Sequence, residues 1–322
     1  MTAGILGAVR RGVPWLTAAL ALATLAALLG RLGWPFELFS HFRVQLLAAW
    51  LLLAVLLLAL RLPGAGLVAA ALAALQGYLL WPLPGVAPAA ASCSGPGLTV
   101  VSANPRYTNA EHRRLLAWLR ADPPDLLVVQ ELTPAWSAAL EQGLPELAHG
   151  LRMPRADAYG IALLGTAPFA SIVALDLAGD GKPSLRGRAT GPQATFEVLA
   201  VHARWPITPG LYARRNAALD SVAELARNAA VPLVLVGDLN LSANSPDFAR
   251  LLERSGLRDA AADRVWQPTW MAGFWPLALR IDHVLVSPGI CVESVEVGPP
   301  IGSDHRPLRV RLRLAPAALS PR

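Results

Sequence analysis

The stretch VPLVLVGDLN, residues 231–240, carries the fold in ten residues. Val and Leu follow one another without polar alternation, then Asp238 and Asn240 appear where the apolar run stops. A short, Val-rich run of this kind predicts a strand buried on both faces, as in a sheet covered by other layers. Eight further runs read the same way: LTVVSAN (98–104), DLLVVQE (125–131), YGIALLG (159–165), ASIVALDL (170–177), FEVLAVHA (196–203), IDHVLVS (281–287), CVESVEV (291–297) and PLRVRLRL (307–314). Between them, TNAEHRRLLAWLR (108–120) places Thr108 and Glu111 at capping-box spacing ahead of Leu115, Leu116 and Leu119. Residues 211–229 carry Leu211, Ala218, Val222 and Leu225 at helical spacing. Strands dominate and helices intervene, so 98–322 is expected to be an α/β or α+β domain with helices outside its sheets. Its length is ample for one large core.

The rest of the chain is different. The 322 residues are 54% hydrophobic and 16% charged, and the mean hydropathy of +0.43 is high for an ordinary soluble domain. The excess lies in residues 13–30, 44–60 and 64–81, three uncharged apolar runs near the lower length limit for crossing a bilayer. Arginines (10, 11, 31, 43, 61) and aromatics (Trp15, Trp34, Tyr78, Trp81) flank them, as interfacial anchors do. Three runs in series do not read as a cleaved signal peptide. Residues 1–81 are therefore expected to be a membrane anchor of three transmembrane helices, and the Pro/Gly/Ala-rich segment 82–97 a linker. The arginine balance places the N-terminus in the cytoplasm and 98–322 on the external, periplasmic side of the inner membrane.

A pI near 10.1 suggests a nucleic-acid partner, but the charge is unevenly placed. Residues 1–97 hold five Arg and one Glu, net +4; residues 98–322 hold 22 Arg, one Lys and 21 acids, net +2. The soluble part is nearly balanced and offers no obvious counterion-release surface for duplex DNA. Cys93 and Cys291 make no disulfide framework on the sequence alone.

Several apolar strands end in acids or amides: Asn104, Glu131, and Asp238 with Asn240, while Asp304 and His305 stand at the entrance of the last. His202 and Asp282 add to the set from inside strand-like runs. One acid at a strand end is a turn former. Several that converge on one sheet edge would repel unless a cation holds them. Carboxylate and amide oxygens suit Mg²⁺ or Mn²⁺, and the absence of a Cys pair or an HExxH helix argues against zinc.

In order, SAN (102–104), VVQE (128–131), VHA (201–203), GDLN (237–240), RIDH (280–283) and SDHRPL (303–308) resemble the endonuclease/exonuclease/phosphatase family, the deoxyribonuclease-I-like fold. The resemblance covers the whole soluble domain. It implies a four-layered sandwich of two mixed β-sheets flanked by helices, here preceded by the three transmembrane helices. It implies roles too. Glu131 is the principal Mg²⁺ ligand, with Asn104 and Asp304 supporting metal or phosphate. Asp238 is the base for the attacking water, and Asn240 holds a phosphate oxygen. His305, paired with Asp282, donates to the scissile phosphate, and His202 contacts the phosphate or leaving group. Gly165-Thr166 and Val201 depart from the family's frequent Ser-Arg and Thr at those places, which bears on substrate contacts and not on the metal.

These expectations amount to a membrane-anchored, Mg²⁺-dependent phosphodiesterase or phosphoesterase acting on nucleic acid or a lipid headgroup. The alternatives are a phospholipid- or sphingomyelin-directed enzyme and a non-catalytic membrane-bound binding module. No protein partner is inferable. Other residues take plainer readings. His283 belongs to the core; His41, His112 and His149 to solvated or interfacial positions; Arg204, Arg214 and Arg215 to the surface. QPTWMAGFWP (267–276) reads as a packed hydrophobic loop, or as a substrate-stacking or membrane-contacting lip.

Overall fold

The computed structural model describes residues 2–80, 95–190 and 195–314, in two compact units, one carrying the N-terminal helices and one the strands. The first has α1 (Thr2–Leu28), which runs on as a 3₁₀ turn to Leu32, then α2 (Phe36–Ser40), α3 (Arg43–Ala59) and α4 (Pro63–Leu80). Two stretches, Arg10–Leu32 and Pro63–Leu80, are long and apolar enough to cross a membrane. The middle apolar run, expected as a third span, forms the shorter helix Arg43–Ala59. Most of the apolar surface is unburied, with Trp15, Leu22, Leu52, Val55 and Leu67 all exposed, whereas a soluble core helix would bury such residues. Polar groups pair inward: Trp50 Nε1 donates to Thr24 Oγ1 (2.8 Å) and Arg43 Nη2 to the Ala27 carbonyl (3.0 Å). His41, expected at an interface, is buried against Glu37 at 3.1 Å. Most of the expected linker, 82–94, and with it Cys93 and Trp81, lies outside the described residues.

The second unit begins with β1 (Gly97–Ala103), α5 (His112–Ala121), β2 (Leu126–Gln130), α6 (Pro134–Gly143), β3 (His149–Met153), β4 (Ile161–Gly165), β5 (Phe169–Leu175) and β6 (Ser184–Thr190). It continues with β7 (Thr195–His202), α7 (Pro209–Arg227), β8 (Leu233–Asp238), α8 (Pro246–Ser255), β9 (Arg258–Asp259), β10 (Asp282–Val286), β11 (Ile290–Val297) and β12 (Leu308–Leu314). One sheet has the order β11-β12-β1-β2-β4-β3, the other β5-β6-β7-β8-β10-β9. Each is mixed, with one parallel pair at its centre, β1/β2 or β7/β8, closed by a crossover helix.

Two-residue periodicity builds the layers. Val100, Leu126, Val128 and Leu163 face Val198, Val234, Val236 and Val284 between the sheets. Their neighbours Val101, Leu127, Val129 and Leu164 face α5 and α6 with Leu115, Leu119, Trp136 and Leu140. Leu199, Val201, Leu233 and Leu235 face α7 and α8 with Val222, Phe248 and Leu251. Both faces of each central strand are covered, which is why those strands lack polar alternation. The result is helix, sheet, sheet, helix.

The structure departs from the sequence-based expectations locally. α5 starts at His112, and its cap position, Glu111, makes no side-chain cap bond. Thr108 therefore forms no capping box; Asn109 Oδ1 instead accepts from the Glu111 amide (2.8 Å). β3 and β6 had no apolar run to announce them: HGLRM, at a sheet edge, and SLRGRAT, between β5 and β7, hold Gly and Arg. Cys291, in β11, is disulfide-bonded, which the spacing of the cysteines in the sequence did not announce.

Gly237 sits where β7 and β8 run parallel, with φ +150°, and a Cβ there would lie 1.8 Å from the Val201 carbonyl oxygen. Only glycine lets the strand carry Asp238 this close to β7. Gly237→Ala is expected to lower stability by about 2–3 kcal/mol and to depress the thermal unfolding midpoint of the full chain in detergent.

Candidate active site

Register explains why polar residues gather. The C-terminal ends of the parallel strands β1, β2, β7 and β8 all point to one edge, and the antiparallel strands β10 and β12 begin at that edge. Across β7, β8 and β10, His202 pairs with Asp238 and Asp238 with Asp282, so the three side chains stand in one row. From the other sheet, His305 reaches the row just before β12. His305 Nδ1 meets Asp282 Oδ2 at 2.9 Å, and its Nε2 lies 3.6 Å from Asp238 Oδ2. His202 Nε2 lies 3.6 Å from the same oxygen. Asp238, Asp282 and His305 are all buried.

Burial and charge drive these groups apart. Burial, then the neighbouring Asp282, push the Asp238 carboxyl up to about 7. Burial works upward on Asp282 as well, but the charge and hydrogen bond of His305 hold it below the ordinary carboxylate range. Burial alone would lower His305; Asp282 and Asp238 outweigh it and raise the imidazole to about 10. Burial and the cationic His305 lower His202 to about 4, so it is neutral. The row thus holds one carboxylate that titrates near neutrality beside an imidazolium fixed in place.

Glu131 and Asn104 complete the edge. Asn104 Nδ2 donates to Glu131 Oε1 (3.1 Å) and Asp238 Oδ2 (3.3 Å), joining the two sheets. The Tyr107 amide donates to Glu131 Oε2 (2.8 Å), and the Asn240 amide to Asp238 Oδ1 (2.9 Å). Glu131 (φ 52°) and Asn240 (φ 48°) both hold left-handed backbone, a strain typical of functional positions. Asp304 Oδ2 accepts from Trp270 Nε1 (3.2 Å).

Two places could hold a cation. Asp238, Asp282 and His305 present ligand-type atoms within 4.8 Å of one another. That group is fully buried and His305 Nδ1 is spent on Asp282, leaving little space for the waters a hard divalent ion keeps. Glu131 and Asp304 are only half-buried oxygen donors. They adjoin a row in which unbalanced carboxylate charge already raises Asp238, Glu131 contributing to that rise. Donor type, access and surplus negative charge all fit Mg²⁺ or Mn²⁺ on the Glu131 side.

All eight residues picked from the sequence thus lie at this edge, and several supporting residues were missed. Ser303 Oγ donates to the Asn104 carbonyl (2.8 Å) and accepts from the His305 amide (3.0 Å), stitching the His305 turn to β1. Thr269 Oγ1 accepts from the Ile281 and Asp282 amides (3.3 and 3.2 Å). Trp270 leaves the expected hydrophobic loop to serve Asp304, while Phe274 and Trp275 are exposed. Arg215 is not on the surface: it is fully buried and its Nη1 donates to the Asn240 carbonyl (3.4 Å). Its place in the Leu211–Asn228 pattern gave no sign, because buried arginine has no sequence signature. Arg204 donates to Asp180 (2.7 Å) and covers the Tyr159 ring; Arg214 is exposed and donates to the Ala178 and Gly179 carbonyls. His283 is core, its Nε2 at 2.7 Å from the Leu241 carbonyl and its ring against Phe248.

Residues 91–305 match the model of the endonuclease/exonuclease/phosphatase family. Solved structures share the fold. An endonuclease/exonuclease/phosphatase from Beutenbergia cavernae is 22% identical, with a TM-score of 0.58 covering 70% of this chain and 73% of that one. Danio rerio TDP2 complexed with a single-strand DNA product is 16% identical, TM-score 0.56, over 67% and 99%. A family protein from Bacteroides vulgatus is 18% identical, TM-score 0.57, over 68% and 99%. No curated protein sequence matches the chain.

The Asp282–His305 pair sets a measurable pH window. His305 is raised, so its contribution to stability is complete below its ordinary value near about 6.5 and is lost as pH rises through about 10. Asp282 is depressed, so its contribution is present above the ordinary carboxylate range and is lost as pH falls below it. Asp282→Asn is expected to bring His305 titration down from about 10, read by proton NMR on metal-free protein. The variant's stability deficit should be largest between those limits.

Proposed function

The chain belongs to the endonuclease/exonuclease/phosphatase family, and from that premise we propose that it is a membrane-anchored, divalent-metal-dependent hydrolase of phosphate diesters. One observation carries the reading: Asp238, with its carboxyl raised to about 7, lies 3.6 Å from an imidazole held cationic by Asp282. A base poised near neutral pH beside a fixed cationic donor is what water attack on a phosphate requires.

In this reading Asp238 takes the proton of the attacking water. Its two oxygens are aimed by the Asn240 amide and by Asn104 Nδ2. His305 donates from Nε2 to a phosphate oxygen, since Nδ1 is engaged by Asp282. Asn240 Nδ2 gives one hydrogen to the Ala203 carbonyl (3.0 Å) and keeps the other for the phosphate. His202 stands beside Asp238 on the leaving-group side. A divalent ion at Glu131, with Asn104 and Asp304, would neutralise phosphate charge when bound. The acids and His305 stand together in a strained arrangement that a purely binding module would have no need to hold.

A nucleic-acid diester is the first substrate reading, supported by the TDP2 structure that holds a single-strand DNA product. A lipid headgroup is the second, favoured by the apolar N-terminal helices and by exposed Trp205, Phe274 and Trp275 on the catalytic unit. We place the N-terminal unit across the inner membrane with three helices and the catalytic unit outside. The arginine balance and the disulfide-bonded state of Cys291 support that side, because disulfides persist in oxidising compartments.

The full chain in detergent should hydrolyse bis-p-nitrophenyl phosphate with Mg²⁺ or Mn²⁺ and stop with EDTA. Asp238→Asn and His305→Ala should each lower kcat by about 10²–10⁴-fold. On metal-free protein, where the rate is lost, Asp238 should ionise at about 7 and His305 lose its proton at about 10, read by NMR; with the cation bound, the rate should rise as Asp238 ionises and fall as His305 loses its proton. A bound cation favours the carboxylate, so the acid limb should move to lower pH with metal. A folded wild type no faster than its variants would sink the hydrolase reading in favour of binding. In membranes from expressing cells, the chain should resist alkaline carbonate extraction; release into the supernatant would refute the anchor.

A further inference from the structure

The connection between β5 and β6 is pinned from within. The Asp176 carboxylate accepts the Asp180 and Gly181 amides (3.0 and 2.8 Å), which turns the Asp180 side chain toward the end of β7. Asp180 Oδ2 accepts from Arg204 Nε at 2.7 Å. Its other oxygen, Oδ1, is buried without a hydrogen-bond partner, and so is His202 Nδ1. The two side chains are only 8% and 7% exposed. The Ala158 backbone lies near the His202 ring but completes no hydrogen bond with Nδ1. Asp180 and His202 line one cavity of about 20 Å³, with Lys182, Ser184 and Ala218 among its other walls.

From this juxtaposition we infer that Asp180 is a positioning residue: one water in the cavity donates to Asp180 Oδ1 and to His202 Nδ1, which keeps the His202 proton on Nε2, where it donates into the site. The space suffices, since a water needs roughly 10–15 Å³ and two to four polar partners. A carboxylate oxygen and an imidazole lone pair are both acceptors, so they cannot bond each other. A molecule with two hydrogens joins them. Lys182 Nζ, engaged at 3.4 Å with Asp157 Oδ2, has further hydrogens for the water's lone pair. The Asp238 carboxylate facing Nε2 at 3.6 Å adds to this preference without fixing it, since the separation is beyond hydrogen-bond length. Buried polar atoms left without partners are costly, and this arrangement satisfies both.

The inference rests on the hydrolase reading for its rate measurement alone. The test uses the full chain in detergent, labelled with ¹⁵N-histidine, with His202 assigned by loss of its signals in His202→Gln. Two-bond ¹H–¹⁵N correlations should show the Nε2–H tautomer in wild type. Two variants then remove the bridge differently: Asp180→Ala deletes the acceptor, and Ala218→Val fills the cavity without touching His202 or the Asp180–Arg204 pair. Both should shift His202 toward a mixture of tautomers and lower kcat about 10- to 100-fold with little change in KM. A wild-type Nδ1–H tautomer, or Nε2–H unchanged in both folded variants, overturns the proposal. The expected tautomer change in a chain that hydrolyses nothing supports it, and counts against the hydrolase reading instead.

Discussion

The contact between Asp282 and His305 joins the two sheets at their shared edge. Asp282 opens β10 in one sheet; His305 precedes β12 in the other. Both are buried, so neither charge is tolerable alone, and losing one partner of such a pair costs about 3–5 kcal/mol. Asn104 makes a second tie, from the end of β1 to Asp238 at the end of β8. The sandwich is therefore held at this edge by groups whose own charge states depend on it. Stability and chemistry draw on the same atoms.

That dependence explains the divided behaviour of otherwise similar acids. Asp238 and Asp282 are neighbours in register, equally buried, yet one is pushed up and the other held down. The difference is one hydrogen bond: His305 gives its Nδ1 proton to Asp282 and stands farther from Asp238. Driving the two carboxyls apart needs no difference in residue type, only 2.9 Å against 3.6 Å in distance from one imidazole. The β-strand repeat supplies the alignment, and Gly237 lets β8 approach β7 closely enough to keep it.

The N-terminal helices distribute polar and apolar groups differently. Their outward faces are apolar, while Thr24, Trp50 and Arg43 find hydrogen-bond partners within the unit. This is the pattern expected where surroundings offer no water to unpaired groups.

Nine strands were legible as short apolar runs; seven of them, β5 and β11 excepted, are largely buried along their length. β3 and β6, with Gly and Arg in place of an apolar run, were not. The eight candidate site residues were legible because several acids and amides at the ends of such strands recur in one motif order, where a single one would only form a turn. Cooperation from afar was not. Nothing local marks Arg215 as buried beneath Asn240, Trp270 as the donor to Asp304, or Asp180 as a neighbour of His202. The sequence by itself determined the α/β class, the apolar N-terminal segment and the identity of the polar strand ends, because each is written in local periodicity and composition. Only the tertiary structure decided which carboxylate is raised, which is held down and what lies behind the second histidine. Those outcomes come from distances between residues far apart in the chain, set by strand register and the packing of two sheets.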